Sequence, residues 1–176
     1  ILFLAVPDSQ IIPLTEGLVE RGSIRPGMVV VHLGGATGIK SLLAATRIGA
    51  IPLALHPAMT FSGTSLDVRR LTGCPIAYTA PALAEPIALA LIEYLGGVPL
   101  PVAEDDRTLY HAGLTHSANH LVTLMVQGQE ILSTAGVESP AEAMRPLVTA
   151  ALDRALEEGM QALTGPVARK DYATVD

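Results

Sequence analysis

Four short apolar runs punctuate the first half of the chain: Ile1–Val6, Met28–Leu33, Ile51–Leu55 and Pro75–Thr79. Each is continuous rather than alternating, the pattern of strands buried on both faces. Segments with helical spacing stand between and after them: Ser9–Arg21 before Gly22, Ile39–Ile48 before Gly49, and Ala82–Leu95 before Gly96 and Gly97. Strand and helix in alternation, with glycine stops, predict a parallel α/β sheet. The pattern changes near Val102. The charged stretch Ala103–Arg107 reads as a solvated linker or as the first turn of a helix, where acids are favoured. Tyr110–Ala135 is one long helical pattern ending at Gly136. Ser139 and Pro140 then open a second helix, with Ser139 as cap, Pro140 in the first turn and Glu142 three residues after Ser139. That pattern runs to about Leu163, with Pro146 a point where it breaks or kinks. The boundary falls at about 100–106, giving an α/β part over 1–103 and an all-helical part over 104–176.

Composition narrows the partners. The 176 residues are 49% hydrophobic with no Trp, two Phe and four Tyr, so the core is aliphatic. A net charge of -6 argues against nucleic acid, since phosphate binding needs clustered Lys and Arg. Two lysines, Lys40 and Lys170, limit Schiff-base chemistry to two candidates. Cys74 is the single cysteine, which excludes an internal disulfide or a thiolate zinc site and points to a reducing, cytoplasmic setting. No run approaches the roughly 18 apolar residues of a membrane span, and Ile1–Val6 is too short and lacks the basic flank of a signal peptide. The chain opens inside an apolar run without Met, and Tyr172–Asp176 has no natural stop. Both ends read as those of a piece of a longer protein.

Candidate chemistry gathers at three places. The first is the set of strand ends: Val6-Pro7-Asp8, then His32 with Gly34 and Gly35, then His56-Pro57. Ligands of open parallel sheets sit outside the carboxyl ends of strands. Taken alone, each histidine fits a satisfied structural role; their corresponding places favour a pocket. The second is the first long helix, with His111, His116, Ser117, Asn119 and His120. His116 and His120, four apart, share a face, and Asn119 lies near it; His111 is rotated off it. Such a pair can bind zinc, but no Glu follows the first His and no third ligand is evident, so no metal is expected. A histidine as proton donor with Asn119 orienting a carbonyl is the better use. The third is Leu163–Asp171, where a Gly-Pro turn precedes Arg169, a residue suited to a carboxylate. Its plainer alternative is an exposed helix end. A phosphate-binding glycine fingerprint is absent from the chain.

These residues together resemble the Rossmann-like oxidoreductases that carry a DUF2520 C-terminal domain, distant relatives of pyrroline-5-carboxylate reductase and of the β-hydroxyacid and 6-phosphogluconate dehydrogenases. The resemblance runs through Leu4–Asp8, His32, Gly35, Gly49-Ala50, His56-Pro57 with Thr60-Phe61, Tyr110–Ala112, Ser117–Asn119, Pro146-Leu147 and Ala162–Pro166 with Arg169 and Asp171. It implies the C-terminal part of a Rossmann-like parallel sheet, a partial dinucleotide-binding domain over 1–103, followed by a helical DUF2520-like domain over 104–176 that forms a homodimer. It implies NADP (or NAD) as cofactor and a small-molecule substrate, a keto acid or cyclic imine, with ketopantoate one candidate. By position, Val6, Pro7, His32 and Gly35 lie against the cofactor, and His56, Ser117 and Arg169 against the substrate. His111 serves as proton donor, and Asn119 holds the polarised group. The alternative on the same fold is a non-catalytic binding or regulatory protein; a metal enzyme using His111, His116 and His120 is a further rival. The family usually carries Ser where Gly34 stands and often Gly where Lys170 stands.

Overall fold

The computed structural model describes residues 1–171 and Ala173. The stretch read as an open C-terminal end, Tyr172–Asp176, otherwise lies outside the described residues. The chain forms two compact units, Ile1–Ser117 and Ala118–Asp176.

In the first unit the apolar runs become strands β1 (Leu2–Leu4), β2 (Val29–His32), β3 (Ile51–Pro57) and β4 (Pro75–Thr79), joined by a fifth, β5 (Val98–Pro101), in the order β1-β2-β3-β4-β5. Helices α1 (Asp8–Glu20), α2 (Leu43–Arg47), α3 (Leu66–Leu71) and α4 (Glu85–Tyr94) connect them. Val30 and Val31 explain the two layers. Successive strand residues face opposite sides. Val30 packs with Leu4, Ile11, Leu42 and Ala45 under α1 and α2, while Val31 packs with Leu53, Ile76, Ala88 and Ile92 under α4. Continuous apolar runs are what a sheet covered on both faces requires.

The sheet departs from the expectation at three points. β3 and β4 pair antiparallel, Ala54 opposite Thr79 and Pro57 opposite Ile76, while the other three pairings are parallel. β3 also runs two residues beyond the apolar stretch and ends on His56 and Pro57. β5 lies where the sequence pattern shows no strand. Its Pro99 and Pro101 hide it and confine it to an edge, and all four of its residues are exposed.

The long helix α5 (Arg107–Thr134) begins in the first unit, three residues earlier than the helical spacing predicts. In the second unit α6 (Pro140–Glu158) continues past Pro146 and stops at Gly159, whose φ of 61° lies outside the α region. A 3-10 turn over Gly159–Ala162 follows, so the helix ends before Leu163. Pro140 takes the first turn as expected, but the Ser139 hydroxyl makes no capping bond. Gly128 on α5 passes close under Met144 on α6; an added Cβ there meets Met144 Cε at 2.7 Å. α6 buries no residue, and Leu147 and Leu156 are largely exposed. α7 (Gly165–Arg169) ends the described elements. Among the described residues no helix is long and apolar enough to cross a membrane.

Candidate functional site

β2 leaves the sheet after His32, and β3 continues three residues past the partner of His32, Ala54. That divergence opens a notch at the carboxyl end of β2, filled by the loop Leu33–Gly38 and the first turns of α5. Five side chains hold the loop and the turn that follows it. His32, fully buried, accepts the Gly34 N–H at Nδ1 (3.1 Å), so Nε2 carries its proton and donates to Gly38 O (3.0 Å). Asp8, in the first turn of α1, accepts the Ala36 N–H (3.0 Å) and the Thr37 hydroxyl (3.4 Å). Glu104 accepts the N–H groups of Ile39 (2.7 Å) and Lys40 (2.9 Å), capping the 3-10 turn that leads into α2. Arg107 donates to Gly34 O (3.3 Å) and Thr108 to Ala36 O (3.4 Å). The charged stretch read as a solvated linker or helix start thus supplies two of these five anchors. Its Asp105, paired with Lys40, and its Asp106 belong to the surface.

Two histidines converge on this loop. His56, on β3, shares a 3.0 Å hydrogen bond between Nδ1 and the Tyr110 hydroxyl. Its ring stands edge-to-face with Tyr110 (5.7 Å between centroids, 85°) and with His111 (5.6 Å, 83°). Both meet at Gly35: a Cβ there reaches His56 Nε2 at 2.9 Å and lies closer still to His111 Nδ1. The Nδ1 of His111 is buried without a hydrogen-bond partner. Packed on the Gly35 backbone, it leaves Nε2 as the nitrogen that can serve a ligand. Arg107, Tyr110 and His111 stand at i, i+3 and i+4 on one stripe of α5.

Burial, then the neighbouring His111 and Arg107, push the His56 imidazole down to about 4, against the pull of Asp8. Burial is also the main reason that His32 titrates below its ordinary range, with Arg107 acting in the same direction and the bond to Gly38 opposing. Both shifts disfavour protonation of the folded state. The unfolded chain therefore binds more protons between about pH 6.5 and 4, and stability falls as the pH drops through that window. For His56 the loss is about 1–2 kcal/mol after discounting for the part of the ring that meets solvent. Chemical denaturation at pH 7 and pH 4.5 measures it. His56→Gln is expected to flatten the slope in part, leaving the His32 share; an unchanged slope refutes the assignment.

The structure brings His32, Gly35, His56 and His111 together. Val6 lies half-buried beside the Leu4–Ile11 cluster, and Pro7 is the exposed cap of α1. Ser117 is exposed and its hydroxyl donates to Gly113 O within its own helix (3.0 Å). Asn119 and Arg169 are exposed residues of the second unit. Among the described residues no group of three His, Cys, Asp or Glu is placed to hold a metal ion, the three histidines of α5 included. Arg107 and Glu104 enter the site without any part in the sequence reading, while Asp8 appeared there only as a strand-end residue and Tyr110 only within the family motif. One signal was legible: a cation in the first turn of a helix opposes the macrodipole, and Arg107 occupies that place.

The comparisons agree with this architecture. The model for a domain of unknown function (DUF2520) matches residues 74–176, and that for a Rossmann-like domain matches residues 1–57. No curated protein matches the sequence. Among solved structures, protein TM1727 of Thermotoga maritima is 21% identical with a TM-score of 0.75, covering 98% of this chain and 66% of its own. BF3122 of Bacteroides fragilis, described as an NADP oxidoreductase, is 21% identical with a TM-score of 0.73, covering 98% and 64%. The 1-pyrroline-5-carboxylate reductase of Streptococcus pyogenes is 14% identical with a TM-score of 0.62, covering 98% and 62%. The chain therefore spans just under two thirds of the length of each. At these identities the likeness establishes a shared fold, while the DUF2520 model matches more than half of the sequence, and the chain belongs to the DUF2520 domain family.

Proposed function

We propose that the chain is part of an NADP-dependent oxidoreductase that transfers a hydride to a small keto acid or cyclic imine, ketopantoate among the candidates. The observation that carries this reading is the meeting of His56 and His111 over Gly35 at the carboxyl end of β2. It lies where open α/β sheets bind their ligands. The residues present fit the nicotinamide end of such a cofactor. Gly35 leaves no room for a Cβ, so backbone rather than side chain forms that wall. Val6, Pro7, His32 and Gly35 stand on the cofactor side, His32 by shaping the loop. When bound, NADPH supplies the hydride.

His111 donates the proton from Nε2, since Nδ1 packs on Gly35. His56, held by Tyr110, lines the substrate side with Ser117. Asn119 hydrogen-bonds the polarised oxygen or nitrogen, and Arg169 takes a carboxylate as a planar fork. The exposed apolar side chains of α5 and α6 support a homodimer formed through the second unit. The similarity to an NADP oxidoreductase and to a reductase supports the reaction class.

Reduction of 2-oxo acids and cyclic imines by NADPH in the full-length protein tests the reading. His111→Ala and Asn119→Ala are each expected to lower kcat/KM by about 10²-fold or more. Full activity in both removes the two assignments. Nicotinamide fluorescence that does not respond to the protein favours the non-catalytic alternative.

A further inference from the structure

Arg107 is 1% exposed, yet among the described residues no carboxylate bonds its guanidinium. It donates from Nε to Thr79 Oγ1 (2.9 Å), from Nη2 to Ala54 O (2.8 Å) and Ala77 O (3.4 Å), and from Nη1 to Gly34 O (3.3 Å). Removing a guanidinium from water costs several kcal/mol, and a leucine or methionine fills such a space without that cost. What arginine adds follows from the place it occupies. Ala54 is the last residue of β3 to pair with β2. Past it, β2 has turned away and β3 runs on beside β4. The planar fork enters the notch and bonds the loop at Gly34, β3 at Ala54 and β4 at Ala77 and Thr79. The bonds at Gly34, Ala54 and Ala77 lie next to site residues, Ala77 being paired with His56 across the sheet. Gly35 follows Gly34. His56 lies two residues past Ala54, on the same face of the strand. Tyr110 and His111 stand on Arg107's own helical stripe.

We propose that Arg107 is the positioning residue of this site: one guanidinium ties together the loop, the strand and the helix that carry Gly35, His56 and His111. The inference goes beyond the hydride-transfer reading and does not depend on a cofactor. The charge contributes separately from the fork. The titratable groups facing His56 are Asp8 from α1, His32 from β2, and Arg107, Tyr110 and His111 from α5. Asp8 is the one anion among them and favours the imidazolium; Arg107 opposes it. A lysine keeps the charge but has no planar fork for the bonds at Gly34, Ala54, Ala77 and Thr79.

Imidazole NMR on the full-length protein, following His56 and His111 through a pH titration in native protein, Arg107→Met and Arg107→Lys, separates the two contributions. In Arg107→Met the His56 midpoint is expected to rise toward its ordinary value, and the His111 ring resonances to shift. In Arg107→Lys the His56 midpoint stays depressed while the resonances of His111 and Gly35 move. A residue that only fills space lowers the melting temperature and moves neither. Should Arg107→Met not fold, Arg107→Lys decides alone: native resonances at His56, His111 and Gly35 overturn the proposal, and shifted ones support it. Neither measurement uses NADPH or substrate, so a failure of hydride transfer leaves the result standing.

Discussion

Gly35→Ala is expected to lower the proposed hydride transfer by about 10²-fold, the penalty for misplacing catalytic groups by an ångström. It is also expected to destabilise the fold by about 1–3 kcal/mol, as overpacking does. The cause is space rather than backbone conformation, because Gly35 is not among the glycines with positive φ. The new methyl lands 2.9 Å from His56 Nε2 and nearer still to His111 Nδ1. Neither ring yields easily. His56 is held at its other nitrogen by Tyr110, and His111 is fixed to α5 one turn after the anchored Arg107. The rings therefore separate, or the loop lifts from the sheet edge. Gly34→Ala makes a sharp control. Its methyl meets Ile11 Cδ1 at 2.7 Å, Asp8 Oδ1 at 2.8 Å and Thr37 Oγ1 at 2.9 Å, so it loosens the α1 side of the loop and leaves the histidine contact to follow. Steady-state kinetics on the full-length protein, with imidazole NMR on both variants, measure the difference. Native kcat/KM and unshifted His56 and His111 resonances in Gly35→Ala defeat the assignment of this contact to function.

The same glycine marks how far the sequence can be read. Continuous apolar runs announce four strands, because a strand buried on both faces has no polar side to show. They do not announce direction. The antiparallel turn of β4 against β3 comes from the excursion through residues 58–74, whose short helix α3 has too few residues to display a period. β5 is obscured by the prolines that keep it at the edge. In the site, His32, Gly35 and His56 are legible from their places at strand ends. The pairing of His111 with His56 is not, because helical spacing draws attention to His116 and His120 instead. Glu104 stays hidden for a different reason. In a charged stretch the default is water, and nothing local distinguishes a carboxylate that caps another helix 65 residues away in sequence from one that is solvated. Tertiary structure assigns those charges their partners.

His32→Ala is expected to cost about 2–4 kcal/mol of stability, combining a buried cavity with lost hydrogen bonds. The two lost bonds do not weigh equally. Gly38 O also accepts from the Ser41 hydroxyl (2.7 Å) and the Ser41 N–H (3.2 Å), so it keeps partners when the imidazole goes. The Gly34 N–H has His32 Nδ1 as its acceptor and is left in a buried place without one. An orphaned buried donor is the rarer and costlier defect. This asymmetry yields a second variant with a directional outcome. The Asn side-chain oxygen falls near the position of Nδ1, so His32→Asn is expected to restore the Gly34 bond and to recover roughly half of the loss. Urea denaturation of the three proteins ranks them, native above His32→Asn above His32→Ala. If the two variants unfold together, the bond to Gly34 is not what His32 contributes; if His32→Ala unfolds with the native protein, the imidazole does not secure the loop at all. With the bond confirmed, any effect of His32 on the proposed cofactor passes through the backbone it holds, since both of its ring nitrogens are already engaged by Gly34 and Gly38.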